Sequence, residues 1–350
     1  MYRPLLNLAP AEMIALEKLP ERDKDALTPI FPLRPWLTTK TLEKAFDRIE
    51  KAYGTRPAFL IPPSLPPALQ QTGPSNEIRA LLDPANGYDA WCQLFESGRG
   101  QTLTPGLQLT DAQQFDQQAN RLLALGRGAI VTFTRSAFPF VGTIASRLGA
   151  MTGGGDGIVF LIDLGKQGRT YLIQVAELAP ICGRILNACP NATISVCSSS
   201  FPDSFDALES QDIYERQLFH ALQSQYGGTV VYSDRGSARA EKQGGGGVPF
   251  PRIDYPLQAE WRFYRTEVQT DWSVGYTGLA TKLMGQQSVW DPNLRIWGTQ
   301  MIEKTHLQQS GAIASPARST AVRINLHLHR QLWFGNPDGL YDTDDEWVDF

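Results

Sequence analysis

The first 266 residues alternate between short apolar runs and longer stretches whose apolar positions recur with helical spacing. The apolar runs are short, and several are rich in β-branched residues: 2–6, 27–33, 58–61, 102–109, 128–134, 157–164, 192–199 and 228–233. Near-continuous apolar runs are typical of strands that are covered on both faces of a parallel sheet. Because helical patterns lie between most of these runs, the chain is predicted to have an α/β architecture.

Eight apolar runs match the number of strands that closes a (β/α)8 barrel, so we predict a TIM-barrel-like fold with extra C-terminal elements. The run 260–267 is a ninth candidate, so either the first or the last of the nine lies outside the barrel. A doubly wound open sheet is the alternative. The predicted organisation is a barrel over 1–266, a helical extension packed on the barrel over 267–340, and an acidic tail over 341–350. Segment 319–335 alternates like a strand, but its length favours a helix.

Composition and charge restrict the class of protein. The chain is 42% hydrophobic and 19% charged, which is enough apolar content for a large core. The net charge is −4, and five acids lie in the last ten residues, so the rest of the chain has a net charge of +1. Net charge therefore does not indicate a nucleic-acid partner. Four cysteines without CxxC spacing, no signal-peptide pattern and no long apolar segment predict a soluble cytoplasmic protein without a membrane partner.

The candidate catalytic residues are two aspartates at predicted strand ends, where ligands meet parallel sheets. Asp163 lies inside the apolar run "VFLIDLG", and Asp234 follows "TVVYS". Together they could divide general acid and base roles or hold a divalent cation. A buried ion pair is the alternative for Asp163, and an ordinary turn is the alternative for Asp234.

Cations near the same strand ends suggest an anionic ligand. The candidate ligand-binding residues are Arg135, Arg235, Arg252, Tyr255 and Arg265. We predict that Asp163, Asp234, Arg135 and Arg252 converge on one rim, and that four glycines at 244–247 followed by two prolines form a loop that closes over it. Structural ion pairs of Arg252 and Arg265 with Asp234 and Asp254 are the alternative.

Other motifs carry no recognised chemistry. "TGGGDG" (152–157) precedes a strand, so it lacks the strand-to-helix context of a phosphate loop. His327 and His329 lie two residues apart, which places them on different faces of a helix. The sequence therefore predicts no metal site and no cofactor.

The order of several segments resembles the phage Beta protein family. The similarity runs through "YRPLLNLAPAEMIALEKL", "LTPIFPL", "VFLIDLG", "SSSFP", "VVYSDRGS", "PRIDYPLQAEWRFYR" and "RINLHLHRQL", and so covers nearly the whole chain. The resemblance implies a barrel-like fold and a link to phage–host conflict, since some members belong to Gop-Beta-Cin-type defence loci. It implies no established reaction.

The chain departs from the family pattern at two positions. The resemblance implies an acidic residue where this chain has Pro32 and another where it has Ile61-Pro62.

The sequence leaves two functions open. The first is a sensor, effector or inhibitory subunit that binds a nearby-encoded or phage protein at the strand-end rim. The second is a TIM-barrel hydrolase for a phosphorylated or nucleic-acid substrate.

Overall fold

A computed structural model describes residues 1–37, 39–64, 73–205, 208–240, 250–266 and 271–343. The strands within this part of the chain are mostly short: β1 Ile30–Pro32, β2 Phe59–Ile61, β3 Thr104–Leu107, β4 Ala129–Thr134, β5 Ile158–Lys166, β6 Thr193–Ser199, β7 Ser210–Asp212, β8 Val230–Tyr232, β9 Arg252–Pro256 and β10 Glu260–Arg265. The predicted glycine-rich loop and most of the predicted acidic tail lie outside the described residues.

Helices alternate with the strands over most of the chain and then dominate its C-terminal part. Their bounds are α1 Pro10–Glu17, α2 Glu21–Ala26, α3 Glu43–Tyr53, α4 Gly73–Leu82, α5 Ala85–Glu96, α6 Phe115–Leu123, α7 Val141–Thr152, α8 Tyr171–Ala188, α9 Tyr214–Tyr226, α10 Trp272–Met284, α11 Trp297–His306, α12 Pro316–Leu332 and α13 Pro337–Tyr341. Helix α12 thus covers residues 319–332 of the ambiguous segment 319–335, as its length predicted.

The chain divides into two compact units. The parallel-sheet unit contains Met1–Ala9, Thr28–Ser199 and Tyr214–Arg235, and the antiparallel-sheet unit contains Pro10–Leu27, Ser200–Ile213 and Gly236–Phe350. The predicted boundary after residue 266 falls inside the second unit. Whether that boundary limits an independently folding domain stays a prediction.

The parallel-sheet unit is built on seven strands in the order β1-β2-β3-β4-β5-β6-β8, and every neighbouring pair is parallel. The sheet is curled. These strands correspond to seven of the eight predicted runs, so the α/β class is confirmed. The structure shows a half-barrel sheet of seven strands, and its closure into a complete eight-stranded barrel stays a prediction.

The remaining predicted run, residues 2–6, forms isolated bridges with both edge strands. Tyr2 pairs with Tyr232 of β8, and Leu5 pairs with Ile30 of β1, both in the parallel sense. The Leu5 N–H donates to the carbonyl of Asp234 at 2.8 Å, and the Leu6 N–H donates to the carbonyl of Ile30 at 2.9 Å. The N-terminal segment is therefore hydrogen-bonded to both edges of the sheet.

Side chains alternate between the two faces of the sheet, as the period of a strand requires. One face carries a cluster of buried apolar residues, which we call the inner core: Leu5, Ile30, Phe59, Ile61, Ile130, Val159, Leu161 and Cys197. The intervening residues of β5, Phe160 and Ile162, are fully buried as well. Burial on both faces explains why these runs are almost uninterrupted in apolar character.

The antiparallel-sheet unit contains a three-stranded sheet in the order β7-β10-β9. Its largest core joins β9 and β10 to α10, α11 and α12 through residues such as Tyr255, Tyr276 and Leu326. Trp261, Phe263 and Tyr264 of β10 are buried, at 0%, 7% and 5% exposure. All three aromatic side chains therefore pack as core residues.

Candidate functional site

Asp163 and Arg235 form an ion pair at the carboxyl edge of the parallel sheet. The Arg235 Nη2 donates to both carboxylate oxygens of Asp163, at 2.6 Å to Oδ1 and 2.5 Å to Oδ2. The backbone N–H of Gly165 donates to the same Oδ1 at 3.0 Å. The two side chains are 14% and 16% exposed, so the pair is largely but not fully removed from solvent. The ion-pair alternative for Asp163 is therefore what the structure contains, and its catalytic role stays a prediction.

The pair lies on the inner face of the sheet. Asp163 lies on the same face of β5 as Val159 and Leu161, because the three occupy alternate positions of the strand. It stands in register with Cys197 of β6. Arg235 reaches this face from a position three residues after the end of β8. Its Nε is buried and has no hydrogen-bond partner among the described residues. A buried N–H without an acceptor is costly, so this atom has an unmet need for an acceptor.

The electrostatics of the pair keep Arg235 charged. Burial lowers the pKa of Arg235, but Cys197 and Asp163 together raise that pKa above its ordinary value. Burial also raises the pKa of the Cys197 thiol far above its usual range, and the nearby Arg235 opposes this only in part. Cys197 is therefore a protonated core thiol and not a nucleophile.

Asp234 has different surroundings from its neighbour Arg235. It is fully buried, and its carboxylate accepts hydrogen bonds from the hydroxyl of Tyr2 at 2.5 Å and from that of Tyr232 at 2.7 Å. The two tyrosine rings stack at a centroid distance of 5.2 Å, and the Arg216 guanidinium lies 3.4 Å over the Tyr232 ring. Burial, followed by the charge of Asp234, raises the pKa of both phenols, so both remain hydrogen-bond donors.

Three of the four residues predicted to converge belong to the parallel-sheet unit. They are Asp163, Asp234 and Arg135. The Arg135 guanidinium forms an ion pair with Glu177 of α8 and not with either aspartate. The charges of Asp163 and Asp234 both raise the pKa of Cys197, so both carboxylates lie within electrostatic reach of that thiol. The structure thus joins Asp163 to Arg235, and it joins Asp234 to two tyrosines.

The other predicted ligand-binding residues belong to the antiparallel-sheet unit. Arg252 donates from Nε to Asp254 at 3.0 Å and stacks 3.8 Å over the ring of Phe205. The hydroxyl of Tyr255, which is fully buried, accepts a hydrogen bond from Arg330 at 2.9 Å. Arg265 stands opposite Arg252 in the β9–β10 register. The ion-pair alternative is therefore found for Arg252 with Asp254, and the ligand-binding roles of all three residues stay predictions.

Sequence reasoning missed Arg3, which is 6% exposed within the parallel-sheet unit. Its Nη1 donates to the hydroxyls of Thr193 at 2.8 Å and Ser195 at 3.1 Å, and its guanidinium lies over the ring of Phe59. Burial lowers the pKa of Arg3 to about 10. An arginine flanked by apolar residues in "YRPLL" was the available signal, since such a residue must find partners when its strand is buried.

The two histidines considered as metal ligands have other contacts. The His327 ring stacks on Trp261 at 5.8 Å, and His329 is hydrogen-bonded to Asp23. Among the described residues, no group of three or more His, Cys, Asp or Glu side chains could hold a metal ion. Over the same residues, none of the helices combines the length and the apolar character that crossing a bilayer requires.

Comparison with known proteins identifies the family. The model of the Beta protein family matches residues 2–333, so this chain belongs to the Beta protein family. Protein beta of Enterobacteria phage P4 is 27% identical over 345 residues, which cover 95% of this chain and 92% of that protein. The family and this relative make the chain a phage-associated protein, and the resemblance seen in the sequence is confirmed.

Solved structures show only a remote likeness. The carboxyl transferase domain of Rhizobium etli pyruvate carboxylase is 7% identical with a TM-score of 0.37, over 98% of this chain and 49% of that chain. The same domain with 3-hydroxypyruvate gives 8% identity and a TM-score of 0.37. This chain spans about half the length of those structures. A likeness at this level supports no conclusion about function.

Proposed function

We propose that this protein acts in phage–host conflict by binding a protein partner through an anionic group at the carboxyl edge of its parallel sheet. The observation that carries the proposal is Arg235, whose Nη2 is held by Asp163 while its buried Nε has no acceptor among the described residues. We propose that binding turns the partly exposed Arg235 side chain so that this N–H meets a carboxylate or phosphate of the partner, which supplies the acceptor. The planar guanidinium can then bind two anions at once through different N–H groups.

We also propose that residues 2–6 act as an eighth strand that closes the half-barrel. Two parallel bridges and the hydrogen bonds of Leu5 and Leu6 to opposite edges of the sheet support this closure. Leu5 contributes to the inner core, as an inward-facing residue of a barrel strand would. In a closed barrel the strand ends share one rim, which would give the Arg235 site a defined mouth.

Two observations favour binding over hydrolysis. Pro32 ends β1 and Ile61 ends β2, so these two strand ends supply no carboxylate. Asp234 already accepts hydrogen bonds from two phenols, and it would have to release one of them before it could act on a substrate. The hydrolase that uses Asp163 and Asp234 remains the second proposal. The four cysteines are buried free thiols, which supports a cytoplasmic location.

The test is a plaquing assay in cells that express the protein, combined with a pull-down of phage and host proteins. Arg235→Lys keeps the charge but removes the planar group, and we expect it to reduce both plaque protection and partner capture by ~10-fold or more. Arg99→Lys is the matched control, because Arg99 forms an exposed ion pair with Glu43 in the same unit and is not a candidate ligand-binding residue. Full activity of the Arg235→Lys protein would contradict the proposal. Loss of activity only in Asp234→Asn, with a phosphatase or nuclease activity in the wild type, would favour the hydrolase.

A further inference from the structure

We propose that the antiparallel-sheet unit has a second binding site, for a small organic phosphate, in a pocket that we call the basic groove. Four cationic side chains and one indole line it: Lys18, Arg295, Trp297, Lys304 and Arg318. The volume of the groove is about 600 Å³. Pockets of a few hundred to a thousand Å³ are typical of small-molecule sites. Nothing in the proposed role of Arg235 depends on this groove.

The charge of the groove favours an anion. Two acids, Glu17 and Glu21, also line it. Glu21 forms an ion pair with Lys24 at 2.7 Å, so part of the acidic charge is already balanced from outside the groove. The Lys304 ammonium forms no hydrogen bond or ion pair with any described residue. Like charges gathered in one concave surface repel each other, and a bound dianion would remove that repulsion.

Arg318 is held in place before a ligand arrives. Its guanidinium lies 5.3 Å from the centroid of the Trp297 ring, and its Nη2 donates to the carbonyl of Gly311 at 3.2 Å. A cation that is already oriented loses little conformational entropy when it binds an anion. Arg295 is exposed and lies close enough to Glu303 to lower the pKa of that carboxyl, which burial raises. Arg318 is therefore the cation of the groove whose orientation is set before binding.

The remaining lining is apolar, which distinguishes an organic phosphate from a bare phosphate ion. Leu19, Pro20, Ile296 and Met301 contribute to the same groove. Three of them are well buried, at 3% for Leu19, 2% for Ile296 and 5% for Met301. A phosphate group bound by the cations would leave its organic part against these residues, where burial of apolar surface adds to the affinity.

Calorimetric titration of the full-length protein tests the site with three probes: inorganic phosphate, AMP and adenosine, at constant ionic strength. We expect AMP to bind at least ~10-fold more tightly than inorganic phosphate, and adenosine to bind weakest, since both the phosphate and the apolar contacts contribute. Equal affinities for AMP and phosphate would overturn the organic part of the proposal. Absence of saturable binding by every phosphate probe would overturn the site.

Charge reversal locates the binding. Lys304→Glu should weaken AMP binding by ~10-fold or more, whereas Lys282→Glu should change it less than ~2-fold. Lys282 is an exposed lysine of α10 that does not line the groove. An equal loss in both variants would show a general effect of net charge and would overturn the assignment to the groove. Matching melting temperatures for the two variants show that both proteins remain folded.

Discussion

The hydroxyl of Tyr2 donates a hydrogen bond of 2.5 Å to the carboxylate Oδ1 of Asp234, a residue 232 positions further along the chain. Tyr232 donates to the other oxygen of the same carboxylate. A fully buried carboxylate is stable only when it is hydrogen-bonded or paired with a charge, and here two phenols at the junction of the N-terminal segment and β8 meet much of that need. Asp234 thus links the first residues of the chain to an edge of the parallel sheet.

Tyr2→Phe should destabilise the protein by about 1.5–3 kcal/mol, because it removes one hydrogen bond to a buried charge. Tyr341→Phe is the matched control, since the Tyr341 hydroxyl donates to Asp291 at 2.9 Å from a side chain that is 46% exposed. The control should lose less than about 1 kcal/mol. Urea denaturation measures both values. Equal losses in the two variants would contradict a special role for the buried pair.

Alkaline pH should destabilise the protein through the same two phenols. Burial raises the pKa of Tyr2 and Tyr232 well above the ordinary value of 10.0, which an unfolded chain would show. The folded state therefore keeps its stability below pH 10 and loses it as pH rises further, because the unfolded state releases protons that the folded state holds. Denaturation at a series of pH values should give a shallower alkaline decline for the Tyr2→Phe, Tyr232→Phe double variant. An unchanged slope would refute this explanation.

The buried pair of Asp23 and His329 should contribute strongly to the antiparallel-sheet unit. The His329 Nδ1 lies 2.6 Å from Asp23 Oδ2, its Nε2 lies 2.9 Å from the carbonyl of Leu340, and both side chains are fully buried. His329→Ala removes the imidazole partner of the carboxylate and leaves it only the hydrogen bond from the Trp333 indole, and we expect a loss of about 3–5 kcal/mol. In His306→Ala, which removes an exposed contact with Thr281, the loss should stay below about 1 kcal/mol. Thermal melts that rank the two variants the other way would disprove the assignment.

Amide hydrogen exchange tests whether residues 2–6 behave as a barrel strand. The amides of Arg3, Leu5 and Leu6 donate to carbonyls of Tyr232, Asp234 and Ile30 at 2.8–2.9 Å. We expect their protection factors to match those of Ile130 and Val131 in the interior of β4, because amides that open only with the whole fold exchange together. Rapid exchange at these three amides would show that the segment does not close the sheet.

Two glycines of α7 should respond in opposite directions to alanine. A Cβ on Gly149 would lie 2.1 Å from the carbonyl oxygen of Ala188, so Gly149→Ala should cost about 1–3 kcal/mol through forced separation of α7 and α8. A Cβ on Gly142 would have its nearest neighbour at 3.7 Å, the Arg184 Cδ. Gly142→Ala should therefore be neutral or stabilise by up to about 1 kcal/mol, owing to helix propensity. Similar melting temperatures in both variants would argue against the tight contact.

Local pattern was sufficient for much of the secondary structure. Near-continuous apolar runs such as 157–164 predicted buried parallel strands, and β5 and its neighbours are such strands. The length of 319–335 decided between helix and strand, and α12 covers most of it. These features depend on the spacing of apolar side chains over about ten residues, which a single segment contains in full. The need of Asp163 for a partner was also local, because an ionised carboxylate among apolar residues must be paired.

Only the tertiary structure decided which partner each of these residues has. Asp163 pairs with Arg235, which is 72 positions away, and Tyr2 reaches Asp234 because the N-terminal segment bonds to β8. The last predicted strand, 260–267, forms β10 of a separate antiparallel sheet. The basic groove is lined by residues that are as far apart in the sequence as 17 and 318. Such pairings depend on how distant segments meet, and many arrangements satisfy the same local pattern. The sequence by itself determined the elements and the groups that needed partners, whereas chain topology selected the partners.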